Sequence, residues 1–63
     1  MPVPLPAPPA VIEVAPVARG WRMTSSDGLF FGLFTDRTSA VRHARDEADG
    51  HPGHVVVVRG DAV

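Results

Sequence analysis

Apolar and polar positions follow two rhythms in this chain, and the change from one to the other marks out its elements. Val17 to Thr24 alternates as a strand does, with Trp21 and Met23 on one face and Arg22 on the other. Ser25, Ser26, Asp27 and Gly28 form a dense turn signal, and Asp-Gly between apolar runs is a strong hairpin cue. Leu29 to Phe34 is the second strand, with Phe30, Gly32 and Phe34 on one face and Leu29, Phe31 and Leu33 on the other. Thr35 or Asp36 then caps a helix, along which Ala40, Val41, Ala44 and Ala48 recur at helical spacing. Gly50 and Pro52 stop that helix. His54 to Arg59, with Val55, Val56, Val57 and Val58 uninterrupted, is the last strand.

Before this core the pattern is different. Pro2, Pro4, Pro6, Pro8 and Pro9 alternate with small apolar residues. Proline fixes φ and lacks an N–H, so this stretch is expected to be polyproline II or disordered. Val11, Ile12 and Val14 make a short β-branched run closed by Pro16. It reads either as an extra edge strand over 11–15, where proline is tolerated, or as an ordered arm across the sheet. The division expected is a flexible proline-rich arm, 1–16, and a β-β-α-β domain, 17–63.

The fold class is therefore α+β, with a three-stranded, mainly antiparallel sheet and the helix on one face. The alanine stripe lets the helix approach closely over bulkier residues such as Trp21, Phe30 or Phe34. Both the second and the last strand are apolar on both faces, and such strands are usually covered on both sides. One helix covers one side only. The other side needs another copy of the chain, the arm or a different protein.

Size sharpens that point. A chain of 63 residues is one domain at most, and domains this small bury only about 60% of the surface their unfolded chains expose. There is no cysteine to supply a disulfide, which leaves oligomerisation as the common staple. A homodimer is the expectation. The net charge of −1 gives no long-range pull towards nucleic acid or an anionic membrane. The start of the chain lacks the basic-then-apolar form of a secretory signal, and no apolar run approaches the roughly 20 residues that span a bilayer. The expected location is the cytoplasm. All 6 basic residues are arginine, and with abundant Ala, Val, Pro and Gly this points to a GC-rich bacterial genome.

Gly20-Trp21-Arg22-Met23, Phe34-Thr35-Asp36, the spaced Ala40, Ala44 and Ala48, and Val55 to Val58 leading into Gly60-Asp61 together resemble a family. It comprises small bacterial domains of unknown function with a tryptophan-initiated strand, a Phe-x-Thr-capped helix and a valine-rich last strand. The resemblance covers residues 20–63. It implies the strand-strand-helix-strand order and brings no activity with it. The chain departs from the pattern at the helix start, which has no lysine, and after the last strand, where arginine stands in place of a frequent histidine.

The candidate chemistries are few. His51 and His54, with His43 and Asp49, have spacing that can share a metal, but imidazoles in polar loops are commonly just solvated. No metal or cofactor is expected. Arg22, Arg42 and Arg45 with an exposed Phe31 make a weak nucleic-acid-binding surface the alternative function. Thr24, Ser25, Ser26, Thr35, Thr38 and Ser39 are accounted for by turns and caps, so no enzyme is expected. The leading expectation is a non-enzymatic interaction module. It self-associates, or meets an unidentified protein, through an apolar sheet face of Leu29, Phe31, Leu33, Val55 and Val57.

Overall fold

A computed structural model describes residues 8–60 of the chain. The elements are β1 (Ala10–Val17), β2 (Gly20–Ser25), β3 (Phe31–Phe34), α1 (Arg37–Gly50) and β4 (His54–Val58). The expected arm over Met1 to Ala7 lies outside the described residues. The class is α+β with one helix, but the sheet is four-stranded and mixed, in the order β3-β2-β1-β4. The β1–β2 and β2–β3 pairs are antiparallel, whereas β1 and β4 are parallel. The expected three strands are thereby corrected to four, while the sheet is mainly antiparallel as expected, with two of its three strand pairs antiparallel. The helix carries the chain back to the end from which β3 started, so β4 runs in the same direction as β3. It joins the far edge beside β1.

The larger correction concerns β1. The run around Ile12 is neither an edge strand nor an arm but an inner strand, and the boundary expected at residues 16 and 17 falls inside it. Ile12 and Val14 are completely buried. Pro16 is compatible with this because of hydrogen-bond phase. The Ala10 N–H donates to Gly53 C=O at 2.9 Å, so even-numbered residues of β1 address β4. Pro16, lying beyond the Val14–Val58 pair that ends the ladder, has its missing N–H on a side where β4 has already finished. Gly60, with φ +64, carries the chain past the Pro16 ring, where a Cβ would collide with it.

The remaining elements form for local reasons. β1 turns into β2 through Ala18 and Arg19, with Val17 opposite Gly20. A side chain on Gly20 would run into the Phe34 carbonyl oxygen. The β2–β3 hairpin closes with the Gly28 N–H donating to Ser25 C=O at 3.1 Å, and Gly28 takes φ +78. β3 begins at Phe31, two residues later than the alternation predicts, which leaves Leu29 and Phe30 in the turn. At α1, Asp36 is the cap. Its carboxylate accepts from the Ser39 N–H and the Ser39 hydroxyl, both at 2.9 Å. Those bonds hold the Asp36 carboxyl below its ordinary value. The helix includes Gly50, and His51 is its C-cap.

Ile12, Val14, Met23, Ala40 and Ala44 are the fully buried core. Trp21, Phe30, Phe34, Val41, Ala48, Val56 and Val58 pack around it. The alanines bring the helix close to the two inner strands, and the aromatic residues fill the margins, as the stripe predicts.

Candidate interaction surface

Alternation along the strands places the other half of their side chains on the face that α1 does not cover. The register arranges this open face in rows. One row runs from Phe31 on β3 through Thr24 and Glu13 to Val57 on β4. The next runs from Leu33 through Arg22 to Ala15. Phe31 is 68% exposed, Leu33 66% and Val55 43%. Phe30 and Phe34 turn inward against the core, which settles a choice that two apolar faces left open.

The sheet order divides the surface expected from sequence. β3 and β4 are at opposite edges, three strand spacings or about 14 Å apart. Phe31 and Leu33 form one apolar strip and Val55 with Val57 another. Arg22, Thr24 and Glu13 lie between them. Glu13 accepts a charge-assisted hydrogen bond from the Arg59 guanidinium, Oε2 to Nε. A shallow depression of about 310 Å³ lies here, bounded by Val11, Glu13, Thr24, Ser26 and Arg59. Leu29 is 64% exposed but sits in the turn, outside the strand alternation. The expected continuous apolar face is thus two strips flanking a polar centre.

The arginines proposed for nucleic acid do not form one surface. Arg22 lies on the open face next to Leu33. Arg42 and Arg45 are on α1, across the sheet. There they line a second groove, of about 420 Å³, with Arg37, Val41, Asp46 and Val58. Among the described residues neither Arg42 nor Arg45 makes an ion pair.

The histidines also separate. His43 packs on Phe34 at 5.3 Å and approaches Glu47 at 4.0 Å. His51 Nδ1 bonds the Glu47 carbonyl at 3.0 Å. His54 is engaged at both nitrogens: Nδ1 at 3.0 Å from the His51 carbonyl and Nε2 at 2.7 Å from the Asp27 carboxylate. Both partners are acceptors, so only the imidazolium can donate to both, and these bonds raise its pKa above the ordinary value. The Asp27 carboxyl is pushed down to about 2, first by the Ser25 hydroxyl, then by the Leu29 N–H and His54. The Phe30 ring stands edge-on to both His51 and His54, with centroids 4.9 and 5.3 Å away. The cluster ties the β2–β3 turn to the start of β4. Among the described residues no group of three or more His, Asp or Glu is placed to hold a metal ion.

The serine hydroxyls have structural partners. Ser25 Oγ accepts from the Phe30 N–H at 2.9 Å and Ser26 Oγ from the Val11 N–H at 2.9 Å. Sequence reading missed the Asp27–His54 and Glu13–Arg59 pairs, which join residues 27 and 46 positions apart. No periodicity signals contacts at that range. Among the described residues no helix is long and apolar enough to cross a membrane. Compared with protein-family models, curated proteins and solved structures, the chain matches none.

Proposed function

We propose that this chain is a small, non-enzymatic interaction module that self-associates through its open sheet face. The observation that carries the reading is the pair Phe31 and Leu33, 68% and 66% exposed side by side on β3. The fully buried core of Ile12, Val14, Met23, Ala40 and Ala44 is small, and small cores gain most from a second copy. A two-fold axis along the strands stacks the β3 strip of one copy over the β4 strip of its partner. The same operation brings the polar centres of the two copies together, so the apolar strips meet strip to strip in a self-complementary way. Leu29, Phe31, Leu33, Val55 and Val57 are the residues assigned to it.

Sedimentation velocity across a concentration series tests this. The wild type is expected to be a dimer that persists in high salt, because apolar burial is not screened. Phe31→Asp is expected to be monomeric with an unchanged far-ultraviolet circular dichroism spectrum. A wild type that stays monomeric at every concentration would sink the reading.

A further inference from the structure

The outer edge of β4, unpaired among the described residues, adjoins the arginine-lined groove, on the helix side of the sheet and away from the open face. Among the described residues, in the order β3-β2-β1-β4, β4 pairs only with β1. The phase of that ladder is set at its ends. The Ala10 N–H donates to Gly53 C=O at 2.9 Å, and the Arg59 N–H donates to Val14 C=O at 2.7 Å. Odd-numbered residues from Gly53 to Arg59 therefore address β1. The N–H and C=O groups of Val56 and Val58 point the other way, out of the sheet. Their side chains face α1, and Val58 forms one wall of the groove whose other wall carries Val41, Arg42 and Arg45.

We propose that this groove takes an extended acidic peptide, which adds to β4 as a fifth strand. The backbone of such a peptide satisfies the outward groups of Val56 and Val58. On the groove side its carboxylates meet Arg42 and Arg45, and the stems of those side chains lie against Val41 and Val58. Asp46 is a carboxylate in the lining, and it is outnumbered. On the opposite side the added strand extends the row of Val55 and Val57.

Charge also argues against a second copy at this edge. Joining two β4 edges antiparallel puts both helices on the same side of a continuous sheet. Arg42 and Arg45 of each copy would then face those of the other, and like charges so placed repel. An acidic strand relieves the field that a second copy would double.

The test uses the full chain and a fluorescein-labelled octapeptide of alternating Glu and Val, followed by fluorescence anisotropy. Binding is expected, weakening roughly tenfold as salt rises from about 50 to 500 mM. Arg42→Glu with Arg45→Glu is expected to weaken it by roughly tenfold or more while preserving the helical spectrum. Two further peptides, N-methylated either on every Glu or on every Val, test strand addition. Loss in one frame only is expected: the Glu frame for an antiparallel strand, the Val frame for a parallel one. Hydrogen exchange should show the Val56 and Val58 amides open in the free protein and protected with peptide. Equal binding of all three peptides would overturn the proposal, as would protection of those amides before peptide is added. Displacement of the peptide by an equal concentration of oligothymidylate would also overturn it, assigning the groove to nucleic acid. Absence of binding at about 1 mM peptide would overturn it as well.

Discussion

The two faces of this sheet are built from the same strands, residue by residue in alternation, yet they have opposite fates. Under α1, Ile12, Val14 and Met23 are sealed against Ala40 and Ala44. On the open side, Phe31 and Leu33 stay exposed and an ion pair between Glu13 and Arg59 occupies the centre. Hydrophobicity alone does not separate them, since Phe31 and Phe30 are adjacent in sequence and identical in chemistry. What separates them is coverage. A helix with a small-residue stripe can seal the inner strands on one side and, among the described residues, has no counterpart on the other. The covered face makes the fold stand, and the open face is available for association.

The strongest way to break that contrast is at Ile12. Ile12→Ala is expected to cost about 2–5 kcal/mol in urea unfolding, because the site is closed and the cavity cannot collapse. A loss as small as that of an exposed residue would mean that the two faces are not energetically distinct. Next in size is the helix contact. Ala44→Leu should destabilise by about 1–3 kcal/mol, since the close approach of helix to sheet leaves no room for the larger side chain. If it stabilised instead, the helix would be riding higher than the alanine stripe implies.

A smaller effect comes from the Asp27–His54 tie at the end of the sheet. With His54 raised above 6.5, its contribution is complete below that value and is lost as pH rises through the raised one. With Asp27 lowered from 3.8 to about 2, its contribution is complete above 3.8 and is lost as pH falls through about 2. Urea midpoints of the wild type should therefore exceed those of His54→Gln by more at pH 5 than at pH 9. An equal gap at both would show that the pair holds no net charge interaction. The smallest effect is expected at Leu33. In dilute solution Leu33→Ser should shift monomer stability by no more than about 0.5 kcal/mol. At high concentration it should remove the rise in melting temperature that self-association confers. A large loss in dilute solution would place Leu33 in the core rather than on a surface.

The helix was legible from its cap, its stripe and its stop because all three are local. Asp36, Ala40 and Ala44 do in the structure what their spacing predicts, and only the last residue differs. The hairpin at Ser25 to Gly28 was legible for the same reason: an Asp-Gly pair fixes its own turn. Strand β1 was misplaced because Pro16 is a negative signal read without its partner. Proline excludes a ladder bond only where a neighbour is present to accept one, and β4 ends before it reaches that point. The candidate surface was half legible. Its residues were on the list, but their division into two strips depends on which strands are neighbours.

The arginine groove shows the same boundary. The spacing of Arg42 and Arg45 declares a shared helix face, and nothing in it declares the strand edge beside which that face will lie. Alternation, capping and turn chemistry act over a few residues, and so the sequence by itself determined the β2–β3 hairpin, the helix and the last strand, in that order, and the inward stripe of the helix. The strand neighbours, the sealed position of Ile12 and Val14, and the pairing of Asp27 with His54 were decided only by the tertiary structure. Those contacts depend on where a crossover helix returns the chain, and that is set by packing between segments far apart in sequence.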